Sequence, residues 1–150
     1  MLHRVTGTYN ARRDNLEEPR KGQFGYTHGV IVCEAFYENV SWHNIEGRHL
    51  AEREAEENVV LEFRPQPRQG MLIACLYSHW QQDGEDLWSF AAITDELPPE
   101  VAAAGHDRCI ISIKEADLGA WLNPDPQRLN ALYQILDDRE RSYYEHRMAA

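Results

Sequence analysis

Short apolar runs rich in Val, Ile, Phe and Tyr recur along this chain, separated by polar segments containing Gly or Pro, and a helical spacing emerges only near the C-terminus. Gly29–Cys33, Ala35–Glu38 and Val59–Phe63 read as short strands. Met71–Tyr77 is apolar throughout and suits a central strand, and the Asp83-Gly84 turn signal leads into a further apolar strand over Leu87–Thr94. Cys109–Ile113 is another strand. Ser41–Gly47 reads as a loop, and Arg64–Gly70 as a turn region. His49–Asn58, rich in Glu, Ala and Arg, reads as one exposed helical stretch. Pro98-Pro99 opens a short helix through Glu100–Ala104, because proline suits a first helical turn, and Ala116–Leu122 reads as a second. Asp125 is placed as an N-cap with Pro126 at the first helical position. Leu129, Leu132, Tyr133 and Leu136 then follow at helical spacing and give an amphipathic C-terminal helix. Residues 1–28 are polar and Arg-rich, broken by Gly7, Pro19, Gly22 and Gly25, and support no more than short helix or loop. No repeat, coiled coil or low-complexity tract is present. The pattern predicts an α+β fold with mostly antiparallel strands and small peripheral helices.

The length of 150 residues predicts a single domain over 1–150. A chain of this size buries roughly 70% of its unfolded surface, enough for a real core. No apolar run approaches the roughly 18 residues of a membrane span, and Met1–Asn15 has no apolar segment of the secretory type, so a cytoplasmic protein without membrane contact is expected. Cys33, Cys75 and Cys109 are too few and too dispersed for a disulfide framework. Each sits among apolar neighbours, as a buried free thiol does.

The formal charge of −10 argues against a generic nucleic-acid binder. The charge is unevenly placed, however. Arg4, Arg12, Arg13, Arg20 and Lys21 outnumber the acids of residues 1–30, whereas glutamates dominate residues 46–62. Screening limits the reach of distant acids to about 8–10 Å, so a local basic groove on an acidic body is compatible with the composition.

Three short segments carry candidate chemistry. Asn10-Ala11-Arg12 combines an amide that both donates and accepts with a guanidinium fork suited to phosphate. Phe36-Tyr37-Glu38 puts a carboxylate at the end of an aromatic strand, where desolvation favours proton transfer near neutral pH. His106-Asp107-Arg108 brings an imidazole that exchanges protons at neutral pH and a second arginine.

In this order and with these flanks, the chain resembles the SOS response-associated peptidase (SRAP) family over about residues 9–125. The run Phe90-Ala91-Ala92-Ile93-Thr94-Asp95 followed by His106-Asp107-Arg108, and then Ala120-Trp121-Leu122-Asn123-Pro124, carries the resemblance furthest. Ala35 and Asn39 stand where the family has glycine and tryptophan around its Phe-Tyr-Glu, and Cys109-Ile110 stand where it has Met-Pro. The resemblance implies a small β-barrel-like core and action on abasic sites in single-stranded DNA. An N-terminal cysteine of the family, exposed by removal of the initiator methionine, adds its amine and thiol to the sugar aldehyde and forms a thiazolidine crosslink. Carried over, Glu38 and His106 are the acid/base pair, Asn10 is the positioning residue, Arg12 and Arg108 contact phosphate, and Thr94 is a further DNA contact. No cofactor or metal is implied.

Position 2 is Leu2, and Asn10 lies closer to the start than in the family. The resemblance therefore implies a domain N-terminally truncated relative to the family and deficient in crosslinking, with self-association or a complementing N-terminal segment as partners beside abasic single-stranded DNA. A non-catalytic domain that only binds DNA or protein is the alternative. Two further classes fare worse. His43, His49 and His79 with Cys33 or Cys75 lack metal-binding spacing, and Cys109 at three residues from His106 on a strand start points away from it as a hydrolase nucleophile. Of Trp42, Trp80, Trp88 and Trp121, the set reads as core, with Trp42 the one to test for base stacking.

Overall fold

The computed structural model describes residues 10–105 and 108–149. Its strands are β1 (Asn10–Arg12), β2 (His28–Cys33), β3 (Phe36–Ser41), β4 (Asn58–Gln66), β5 (Met71–Gln82), β6 (Glu85–Asp95), β7 (Cys109–Ile110) and β8 (Tyr143–Met148). Its helices are α1 (Trp42–Ile45), α2 (Pro99–Ala103), α3 (Leu118–Leu122) and α4 (Leu129–Asp137).

The first half of β5 is apolar on both faces because it is covered on both. Met71, Ile73 and Cys75 face one layer and Ala74 and Leu76 the other, all buried. β5 pairs antiparallel with β2 and, through a hairpin, with β6. The turn residues Asp83 and Gly84 both have positive φ, 52° and 83°, which is what a tight two-residue hairpin demands. β1 then runs parallel to β6, with Asn10 opposite Ala92 and Arg12 opposite Thr94. Near the base of this sheet the chain after residue 108 wedges between β5 and β6: Ala74 N–H donates to Ile111 O, and Ile111 N–H donates to Ile93 O. β7 thereby pairs with β6, with Thr94 opposite Ile110.

A second antiparallel sheet has the order β3-β4-β8. Its inner face packs Phe36, Val40, Leu61 and Phe63 against Met71 and Ile73 of the first sheet. Phe36 stacks on Phe63 at 5.1 Å between ring centroids and meets Tyr144 edge-on at 5.3 Å. On the far face of the first sheet, Ala74, Leu76, Ala91 and Ile93 are covered by Leu16, Phe24, Trp121, Leu132, Ile135 and Leu136. Two apolar layers thus enclose one sheet, and the α+β class read from the sequence holds. Among the described residues both sheets stay open, so the expected barrel-like closure is not formed by them.

Several local expectations are corrected. Asn10–Arg12 is a strand, not a loop, because Ala11 is buried against Ile93 while its neighbours stay exposed. Residues 49–57 form no helix. Their glutamates would repel one another at helical spacing, and Arg48 instead gathers Glu46 and Glu54 into an irregular loop, with Glu54 also accepting the Ala51 N–H. Trp42–Ile45 is a helical turn within the expected loop. β4 continues through Pro65 to Gln66 because β8, which the sequence did not reveal, pairs with it. The β5–β6 hairpin is longer than its apolar runs. Asp125 accepts the Gln127 N–H in a turn one step ahead of α4, whose N-cap position is Arg128. Cys75 and Cys109 are buried as expected, whereas Cys33 is half-exposed. Trp121 alone among the tryptophans is fully buried; Trp80 and Trp88 lie 41% and 60% exposed on the hairpin.

Candidate functional site

In a strand pair, residues directly opposite each other point to the same face. Ala11 and Ile93 belong to the helix-covered layer. Their neighbours Asn10 and Arg12 on β1, and Ala92 and Thr94 on β6, therefore face the other way, toward the second sheet. On that second sheet Glu38 sits between Phe36 and Val40, two inward-facing core residues. Thr94 is thus turned toward the second sheet and Glu38 toward the first, while Asn10 and Arg12 lie exposed on the same side of the edge strand β1. The negative charge of Glu38 is felt at Cys109, the first residue of β7.

Arg108, immediately before β7, lies at the same end. Its Nη2 is 3.8 Å from the Asp14 carboxylate. Arg12 donates to both oxygens of that carboxylate, Nε to Oδ1 at 3.0 Å and Nη2 to Oδ2 at 2.8 Å. The hydrogen bonds from Arg12, helped by the charge of Arg108, hold the Asp14 carboxyl below its ordinary value. Asp14 therefore ties the two arginines to one place. Its link to both is a tertiary contact between β1 and the segment ahead of β7, so no single stretch of sequence announces it.

Thr94 is buried, and among the described residues its Oγ1 is fully enclosed with no hydrogen-bond partner. Enclosing a hydroxyl without a partner costs about 1–3 kcal/mol. A ligand acceptor or donor reaching this hydroxyl would relieve that cost.

His106 lies outside the described residues, but its flank on one side is well defined. Gly105 has φ of +90°, and a Cβ there would come within 2.6 Å of the Asn44 Cβ and 3.0 Å of Val40 Cγ1. The approach of the chain to position 106 therefore runs hard against β3 and α1, on the face that carries Glu38. Gly105→Ala should destabilise the protein by more than ~1 kcal/mol, since both the backbone region and the space exclude a side chain. Denaturant unfolding checks this, and a neutral substitution would mean that the segment is not held against β3.

None of the cysteines suits nucleophilic chemistry. Burial pushes all three thiols up, Cys109 to about 12 with Glu38 adding to the effect. Among the described residues no His/Cys/Asp/Glu group is arranged to hold a metal ion, and no helix is long and apolar enough to cross a membrane.

The fold defines an α+β protein with two facing sheets, and Arg12 and Arg108 meet at Asp14 beside the first of them. The model of the SOS response associated peptidase (SRAP) family matches residues 3–148, and the chain belongs to that family. A crystal structure of a protein from Bordetella bronchiseptica superimposes with a TM-score of 0.66 at 19% identity, covering 94% of this chain and 64% of the other. A protein from Bacteroides thetaiotaomicron gives a TM-score of 0.64 at 14% identity, covering 94% of this chain and 58% of that one. The chain thus spans about 64% and 58% of the length of these two structures, which share its fold. No curated protein matches it.

Proposed function

We propose that this chain recognises abasic sites in single-stranded DNA through a cleft of Asn10, Arg12, Thr94 and Glu38. Membership of an SOS-associated family supplies the class of partner. The observation that carries the reading is the enclosed, unpartnered Thr94 hydroxyl, which faces the same layer as Glu38 at the end where Arg12 and Arg108 meet. Arg12 and Arg108 bind the phosphates that flank the lesion, and a phosphate oxygen replaces the Asp14 carboxylate against their forks. Asn10 holds the sugar oxygen or an incoming amine, since its amide offers both donor and acceptor. Glu38 and His106 move protons to and from the opened sugar.

Binding is expected without a covalent bond from the internal cysteines. A thiazolidine needs an amine and a thiol on one residue, and Cys33, Cys75 and Cys109 are internal, with thiols held in their protonated form. The 150-residue chain should therefore shift an abasic oligonucleotide in a native gel and leave no heat-stable band in a denaturing one. Arg12→Gln and Arg108→Gln should each lower the slope of log affinity against log salt by about 0.7, the single-strand value per phosphate contact. Thr94→Val is the sharper test. It keeps the shape and removes an unsatisfied hydroxyl, so the fold should be as stable or more so while affinity falls. Affinity unchanged in all three variants, or no binding by the parent chain, would sink the reading.

A further inference from the structure

The outer face of the second sheet carries a feature that the proposed DNA cleft of Asn10, Arg12, Thr94 and Glu38 does not use. Tyr37, Glu62 and Arg147 stand in one row across β3, β4 and β8. Glu62 has only 7% of its side chain exposed although its face looks outward. Tyr37 Oη donates to Glu62 Oε2 at 2.7 Å, while Arg64 Nε and Arg147 Nε donate to Oε1 at 2.6 and 2.9 Å. Those bonds, Arg64 first, then Tyr37, then Arg147, hold the Glu62 carboxyl down to about 2, so it stays charged. One carboxylate sunk beneath three donors fixes the direction of all three.

The Tyr37 ring is left 55% exposed with its hydroxyl anchored. Each arginine uses its Nε on Glu62, and the terminal nitrogens are the donors that suit a phosphate. Arg68 joins them around a hollow of about 100 Å³. Arg64, Arg68 and Arg147 line this hollow with Glu62 and Glu145, and the charge of Glu34 also reaches Arg64, so the face concentrates arginine donors on a chain of net charge −10. Exposed aromatic rings beside arginines on an open sheet are how proteins hold single-stranded nucleic acid. The exposed aromatics of the β5–β6 hairpin lack this complement, being rimmed by Asp83, Glu85 and Asp86.

We infer that the Tyr37–Arg64–Arg147 face is a second single-stranded DNA contact, which takes the strand after it leaves the cleft. The path is short. β3 is the edge strand of its sheet, and Tyr37 and its neighbour Glu38 point to opposite faces of that edge. A strand held at Glu38 wraps over β3, stacks a base on Tyr37 and lays its next phosphates on Arg147 and Arg64. Stacking is sequence-tolerant, so this face adds reach and no base preference. The inference rests on the proposed role of the cleft, and oligonucleotide length separates the two.

The parent chain and the Tyr37→Leu, Arg147→Gln and Trp88→Ala variants are titrated with abasic oligonucleotides of about 5 and about 16 nucleotides, spanning the usual footprint range. The parent should bind the longer strand about tenfold more tightly. Tyr37→Leu and Arg147→Gln should remove most of that gain and leave the shorter strand unaffected, while Trp88→Ala changes neither. Arg147 is 68% exposed, so its replacement leaves folding intact and keeps the test decisive. Equal losses for both lengths, or no gain with length, would overturn the second contact while binding of the short strand leaves the cleft standing. Loss of short-strand binding alone would instead overturn the cleft. If an acidic peptide occupied this face without lowering the length gain, the face would belong to a protein partner, and the DNA path would be wrong.

Discussion

Trp121→Ala is expected to cost about 3–5 kcal/mol of folding stability, the range for emptying a fully buried aromatic site. Trp121 has 0% exposure and is the largest fully buried side chain. Its Nε1 donates to Gly29 O at 2.9 Å, and its ring lies 4.0 Å from that of His28. One residue on the short helix α3 therefore satisfies a backbone carbonyl of β2 and fills the layer beneath it. Five-residue helices have almost no stability of their own, so α3 is held by this anchor and goes with it. For a domain of this size the midpoint of thermal unfolding should fall by roughly 10 °C. Trp121→Phe keeps most of the ring and loses the hydrogen bond, and should cost about 1–2 kcal/mol. Equilibrium unfolding in denaturant measures both. A loss below ~1 kcal/mol for alanine would mean that α3 does not pin the sheet.

Acid should destabilise the protein in a window well above the usual carboxylate range. His28 is buried between Phe24 and Trp121 and accepts the Gly25 N–H on Nε2 at 2.8 Å. Its pKa is lowered from 6.5 to about 4, by burial first, with the Trp121 backbone offsetting part of the effect. A second proton would also have to occupy the nitrogen that now accepts from Gly25. Since the folded form resists a proton that the unfolded chain takes up below 6.5, stability is full above that pH. It falls as the pH drops toward 4, by about 3 kcal/mol in all at 1.36 kcal/mol per unit, and this loss is then complete. The carboxyls of Glu54 and Glu62, both held near 2, begin to weaken the fold only below their ordinary 4.5. His28→Asn, which keeps an acceptor for Gly25, should flatten the stability profile between pH 6.5 and 4.5. An unchanged slope in that variant would assign the acid sensitivity to another group.

The candidate site was legible where chemistry is carried by short contiguous runs. Asn10-Ala11-Arg12 and Phe36-Tyr37-Glu38 could be named from residue type and order, and the structure sets them on strands of two different sheets. The roles of Asp14, Gly105 and Glu62 could not be read. Asp14 acts by joining Arg12 to Arg108 across the chain, Gly105 by the space it leaves for Asn44, and Glu62 by three donors drawn from three strands. Each needs, beside any near neighbour, a partner distant in sequence.

The same division holds for the fold. The sequence by itself determined the strongest local elements: the doubly apolar Met71–Leu76 had to be covered on both sides, Asp83-Gly84 had to turn, and Leu129, Leu132 and Leu136 had to present one helical face. These are local consequences of side-chain volume and backbone freedom. Only the tertiary structure decided that Asn10–Arg12 would be a strand, that Tyr143–Met148 would pair with β4, and that residues 49–57 would not be helical. A three-residue strand has no stability until β6 offers it hydrogen bonds, β8 follows from the open edge of β4, and a glutamate-rich stretch with no apolar face has no surface on which to fold.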